Sequence, residues 1–380
     1  MRSLSNILLS LAACSVLVQA GPIANGDQLR LFSSGEQPEM RLVQYGDDTP
    51  ARWMTESDKE ALLRAGVRYM DITDYPEALV SSLDNWQPYI PEITRYSDEA
   101  APYIGNLTVA PMKEFLQKFT SFNTRYYKSK TGAESCRWLL SQLKEVSAGA
   151  SHVTVKEFKH KWDQFSIIAR FEGSNEDLKD ELVIVGAHQD SVNMWLPSFG
   201  RSPGADDDGS GSTSIFEAFR SLSQNGFKPE RPVEFHWYSA EEAGLLGSQD
   251  VSRAYEKDGK RVVGMLQTDM TGYIGANGEV IGIVTDHVDE KLTDFLKATV
   301  DEYADIPYVL TECGYACSDH ASWRKIGFPS AFQIETAFDD SNHYIHTTGD
   351  TIDKLSFDHM KEFSKVAVGF AVELSHSRSD

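Results

Sequence analysis

From Ser151 onward, short β-branched runs alternate with segments of helical period. VTVKEF, FSIIARF and LVIVGA lead into GSTSIFEAFRSLSQ; VEFHWY, VVGMLQT and EVIGIVT follow, and SAFQIE comes late. Apolar spacing also predicts helices over 111–127, 131–146 and 289–303, and one amphipathic helix over 356–374. This alternation predicts an α/β fold with a mixed, largely parallel central β-sheet flanked by helices. No fixed-period repeat and no low-complexity block interrupts it.

The first part of the chain is patterned differently. MRSLSNILLSLAACSVLVQA carries Arg2, an apolar stretch from Ile7 to Val18 and small residues ending at Ala20. That is the pattern of a secretory signal peptide cut after Ala20, and it is too short for a membrane span. Residues 21 to about 87 are polar and turn-rich (GPIANGD, SSGEQPE, YGDDTPAR), with one short helical piece around Glu60–Gly66. A removable pro-segment is the expectation, with a disordered linker as the alternative. The expected organisation is therefore a signal at 1–20, a pro-segment at 21–87 and a single domain at 88–380.

Composition narrows the partners. The chain has 380 residues, 41% of them hydrophobic, which is enough to bury a sizeable core, and a net charge of −21. Such a field repels nucleic acid and anionic membrane surfaces. No later apolar stretch is long enough to span a membrane, so an exported, soluble, extracellular product is expected. The sequon Asn106-Leu107-Thr108 suits that route as a glycosylation site. Cys313 and Cys317, four apart in CGYAC, are expected to form a short loop disulfide in an oxidising compartment; two buried free thiols are the alternative. Cys136 then remains as a buried core thiol.

Ligands of open α/β sheets bind beyond the carboxyl ends of the strands, so the residues after each apolar run matter most. LVIVGA is followed by His188 and Asp190, VEFHWY by Glu241 and Glu242, VVGMLQT by Asp269, and SAFQIE by a loop ending in His346. Between the first two runs lies the acidic turn PGADDDGSG. Each feature alone reads as a surface histidine or a helix cap. Together, at successive strand ends, they are a set of metal-type ligands. In extended chain, residues two apart face the same way, so Asp190 can accept the imidazole N–H of His188 and orient it toward a metal.

GAHQDS, PGADDDGSG, SAEEAGLLGS, MLQTDMTGY, CGYACSDHASW and IHTTGDT, in this order, resemble the motifs of the co-catalytic dizinc aminopeptidases of the M28 type. Within these the chain is similar to the secreted bacterial and fungal leucine aminopeptidases, from about Tyr89 to the C-terminus. The resemblance implies a three-layer zinc-exopeptidase sandwich, two Zn²⁺ per chain, a peptide substrate with a free N-terminus and a monomeric enzyme. It implies His188 and Asp269 at one zinc, Glu242 and His346 at the other, and Asp207 bridging them. Asp207 is chosen because Asp207-Asp208-Gly209-Ser210-Gly211 fits the family phase, which leaves Asp206 and Asp208 to cap the next helix or orient the loop. Glu241 would be the general base and Tyr315 would stabilise the oxyanion. Met270, Phe332, Phe338 and Ile345 would line a socket for Leu-like side chains. The same scaffold carries other chemistry, so a dizinc carboxypeptidase, a glutaminyl cyclase-like enzyme and a silent binding module are the alternatives.

Overall fold

Alternate residues of the central strands serve two different cores, and this sets the architecture. The structure is a computed structural model describing residues 38–46, 49–76 and 86–378. The expected signal at 1–20, and residues 21–37, 47–48 and 77–85 of the expected pro-segment, lie outside the described residues. From Glu39 onward the chain is one compact unit.

The elements begin with β1 (Met40–Gln44), β2 (Arg52–Thr55), α1 (Glu56–Arg64) and β3 (Met70–Asp71), followed by α2 (Ser97–Ile104), α3 (Val109–Phe119) and α4 (Lys130–Val146). Next come β4 (Val153–Phe158), β5 (Ser166–Phe171), β6 (Glu181–His188), α5 (Gly209–Gln224), β7 (Val233–Tyr238), α6 (Leu246–Lys257) and β8 (Arg261–Thr268). The chain closes with β9 (Ile281–Val284), α7 (Glu290–Tyr303), β10 (Tyr308–Thr311), α8 (His320–Lys325), β11 (Ser330–Ile334) and α9 (Phe357–His376).

An eight-stranded sheet runs in the order β10-β9-β11-β8-β6-β7-β5-β4. Its centre is parallel, β11 with β8, β8 with β6 and β6 with β7, while β4, β5 and the β9–β11 pair run antiparallel. Val183, Val185 and Ala187 of β6 pack with Phe216 and Phe219 of α5 and Phe363 and Phe370 of α9. Leu182 and Ile184, on the opposite face, pack with Val251 and Tyr255 of α6 and Trp323 of α8. A strand buried on both faces needs a helical layer on each side, and three layers result. No helix among the described residues is long and apolar enough to cross a membrane.

Two local expectations change. The helix expected over 111–127 ends at Phe119, where Thr120 and Ser121 turn their hydroxyls back onto the Leu116 and Lys118 carbonyls. The turn-rich stretch before residue 77 contains a three-stranded antiparallel sheet, β2-β1-β3, with α1 against it. Its strands are five residues or fewer, too short to show an alternating pattern in sequence.

Candidate metal centre

Because β6, β7, β8 and β11 are parallel, their carboxyl ends open on one edge of the sheet, and the predicted ligands meet there. His188 is the last residue of β6, Glu241 and Glu242 follow β7, Asp269 follows β8, and His346 lies in the long connection between β11 and α9. Ligand atoms of His188, Asp208 and Asp269 lie within 4.8 Å of one another, as do those of Asp207, Glu242 and His346.

Asp207 stands between the two groups. Its Oδ1 is 3.1 Å from His188 Nε2 and its Oδ2 is 2.9 Å from His346 Nε2. His188 Nε2 is also 3.5 Å from Asp269 Oδ1, and His346 Nε2 is 2.9 Å from Glu242 Oε2. Asp208 is engaged differently. Its Oδ1 accepts the N–H groups of Gly211 and Met270 and its Oδ2 accepts that of His188, so it caps α5 and ties β6, β8 and the acidic loop together. Gly211 belongs to this cap, since an added Cβ would lie 2.2 Å from Asp208 Oδ1 and 2.4 Å from the Thr268 carbonyl oxygen.

The donor set fits a pair of divalent cations. Asp207 Oδ2, Asp269 Oδ1 and both carboxylate oxygens of Glu242 are buried without a well-formed hydrogen bond, although His346 Nε2 stands 2.9 Å from Asp207 Oδ2 and from Glu242 Oε2. Buried carboxylate oxygens left in this state are costly, and these belong to residues able to ligate a metal. One histidine with carboxylates at each position suits zinc. Charge tells the same story. Burial opposes ionisation of Asp207, but His188 and His346 hold its carboxyl well below the usual carboxylate range. Burial and Arg68 would lower the His346 pKa, yet Glu242 and Asp207 raise it to about 9. Such an excess of buried carboxylate calls for added positive charge.

The surrounding shell fixes these positions. Asp190 Oδ1 lies 3.5 Å from His188 Nδ1, and the same carboxylate accepts the N–H groups of Glu241 at 3.0 Å and Glu242 at 3.3 Å. One aspartate therefore orients a histidine and seats both glutamates. Asp350, in the IHTTGDT motif, accepts the N–H groups of Asp206 and Asp207. Ser318 Oγ donates to Asp269 Oδ2 at 2.7 Å. Asp350 and Ser318 lay inside motifs visible in the sequence, but only the fold reveals what they touch. Ala240, Met270 and His346 adopt φ of 59°, 55° and 58°, a left-handed region costing non-glycine residues about 1–3 kcal/mol each. Ala240 precedes Glu241, Met270 follows Asp269, and His346 is itself in a ligand group.

Glu241 belongs to neither ligand group; its Oε2 is 3.9 Å from His188 Nε2. Burial pushes its carboxyl well above the ordinary range, with Glu242 adding to the shift and His188 opposing it. Met270, Phe332, Phe338, Ile345 and Tyr315 gather in one apolar cluster with Val284 and Ile334. Cys313 and Cys317 form a disulfide that frames this cluster, and Cys136 is a buried free thiol. Asn106 lies exposed on the turn between α2 and α3.

Residues 166–371 match the sequence pattern of peptidase family M28. The chain belongs to peptidase family M28. Leucine aminopeptidase 1 of Coccidioides posadasii (strain RMSCC 757 / Silveira) is 48% identical over 353 residues, covering 89% of this chain and 90% of the relative. The crystal structure of the Legionella pneumophila LapA aminopeptidase superposes with a TM-score of 0.79 at 29% identity, covering 90% of this M28 chain and 100% of LapA. A Porphyromonas gingivalis glutaminyl cyclase, at 18% identity and a TM-score of 0.57 over 70% of this chain and 98% of that one, shares the fold.

Proposed function

We propose that this M28 protein is an exported dizinc aminopeptidase that removes N-terminal residues from peptides, favouring Leu-like side chains. The observation that carries the reading is Asp207, whose two oxygens face two separate His-plus-carboxylate groups while Glu241 stands 3.9 Å from His188 Nε2, outside either ligand set. His188, Asp269, Glu242 and His346, with Asp207 shared, would hold two zinc ions, which supply Lewis acidity at the scissile carbonyl and bring a water's pKa toward 7.

Glu241 takes the proton of the attacking water and delivers it to the departing amine nitrogen. A C–O bond forms, the C–N bond breaks, and Glu241 ends as it began. Burial raises its pKa above the ordinary carboxylate range, the direction that favours a group able to hold and return a proton. Tyr315 is held protonated by burial, with Arg68 opposing and Glu241 adding, and donates to the developing oxyanion. The free α-ammonium of the substrate meets the carboxylates at the Asp207–Glu242 end. The cluster of Met270, Phe332, Phe338 and Ile345 receives the leucine side chain. The signal-like N-terminus, the Cys313–Cys317 disulfide and the exposed Asn106 sequon support export, with glycosylation at Asn106 and residues 21–87 as a removable pro-segment.

Hydrolysis of leucyl-4-nitroanilide tests the reading. Activity should vanish when the amine is acetylated; cleavage of N-acylated peptides alone would overturn it.

A further inference from the structure

Arg125, on the connection between α3 and α4, is a charged side chain with no exposed surface, and its guanidinium lies 4.1 Å from the centre of the Phe119 ring. Its Nε donates to the Gln189 carbonyl and its Nη2 to the Gly204 carbonyl, each at 2.8 Å, and its Nη1 donates to the Pro203 carbonyl. Gln189 stands between His188 and Asp190, while Pro203 and Gly204 open the loop that carries Asp207. One planar fork therefore joins the end of β6 to the entrance of the acidic loop.

The backbone of the same residue reaches further. Arg125 N–H donates to Ser191 Oγ, which donates in turn to the Ser202 carbonyl. The Arg125 carbonyl accepts from Gln164 Nε2, and Gln164 Oε1 accepts from Ser239 Oγ, two residues before Glu241. The three segments that bring His188, Asp207 and Glu242 to the metal centre thus meet around Arg125. Contact is closest at Gly204. With φ of 53°, a Cβ there would lie 2.5 Å from Ser191 Cβ and 2.8 Å from Arg125 Nη2, so only glycine fits against the guanidinium. Further along the loop, Asp350 accepts the N–H groups of Asp206 and Asp207. A cation takes the loop's carbonyls and an anion its N–H groups, and together they fix the backbone that carries Asp207. Burial pulls the Arg125 pKa down to about 10, and the carboxylates of Asp350, Asp208, Asp190 and Asp207 oppose the fall, so the group is charged at neutral pH.

We infer that Arg125 is a positioning residue for the metal pair: its fork holds the end of β6 and the acidic loop at the separation that lets Asp207 reach both His-plus-carboxylate groups, and so sets how tightly the ions are held. The inference rests on the two-metal reading of the site and not on the choice of substrate. An ammonium has a single nitrogen and cannot span three carbonyls on two segments, whereas a guanidinium can. Charge alone is therefore not what the position needs.

The test uses the holoenzyme, with zinc titrated against a competing chelator well below Tm. Arg125→Lys, which keeps the charge and loses the fork, should weaken zinc binding about 10- to 100-fold, the usual worth of a partner that orients a ligand. At saturating zinc its kcat on leucyl-4-nitroanilide should fall about tenfold, with KM within about twofold. The control is Val300→Ala, a cavity in the core under α7, which lowers Tm and should leave zinc affinity unchanged. Unchanged zinc affinity in Arg125→Lys would overturn the inference whatever its Tm, because Arg125 would then serve the fold alone. An equal loss of affinity in Val300→Ala would overturn it too. Should Arg125→Lys fail to fold, Ser191→Ala, which removes the hydroxyl that takes the Arg125 N–H, is judged by the same titration; a loss of about threefold is expected, and no loss overturns the inference. If zinc affinity falls as expected but no form of the protein cleaves leucyl substrates, the positioning role stands and the aminopeptidase reading falls. A wild type that binds no zinc would sink the two-metal reading and the inference with it.

Discussion

At the scale of single residues, two adjacent carboxylates have been given different surroundings. Glu242 has both oxygens buried, with Oε2 2.9 Å from His346 Nε2, whereas Glu241 stands near His188 without joining a ligand group. Glu241→Gln should therefore keep two metals per chain by mass spectrometry while kcat falls roughly 10²- to 10⁴-fold, the usual worth of a positioned proton shuttle. Glu242→Gln should lose metal as well as turnover. If the first variant lost metal and the second kept it, the roles would be reversed. Asp190 explains how neighbours can differ, because one side chain accepts both of their backbone N–H groups and leaves the two carboxylates free to turn apart.

At the scale of elements, strands were the most legible part of the sequence. LVIVGA, VEFHWY and VVGMLQT are fully buried, mainly apolar runs, and a candidate ligand after each could be located by counting from its end. What stayed hidden was long-range contact. Nothing near Asp350 predicts that it accepts the N–H groups of Asp206 and Asp207 over 140 residues away. Arg68 sits in a stretch whose strands are too short to declare themselves, so its placement against Glu242 could not be read either. Similar ties hold the sheet to its helices. Glu234 of β7 accepts from Arg170 of β5 and Tyr255 of α6, with His236 beside it. Burial opposes its charge, but His236, Arg170 and Tyr255 lower its pKa from 4.5 to about 2. A carboxyl whose folded pKa lies below its unfolded value stabilises the fold above that unfolded value and loses this as pH falls through the folded one. Urea midpoints of wild type and Glu234→Gln should thus differ most above pH 4.5 and converge as pH approaches 2; a gap that stayed constant across that window would refute the linkage.

At the scale of the whole molecule, the metal centre joins four strand ends and the acidic loop, so metal binding is also folding energy. Chelation should abolish activity and lower Tm, and zinc should restore both. A ligand at about a thousand times its Kd contributes roughly 4 kcal/mol. An unchanged Tm after complete removal of metal would show that the strand ends hold their positions without it. The order of the ligands along the chain has a consequence of another kind: one group takes Glu242 from the middle of the chain and His346 from near its end, so a chain cut short between Asp269 and His346 would keep the groups for one metal and lose His346 from those for the other.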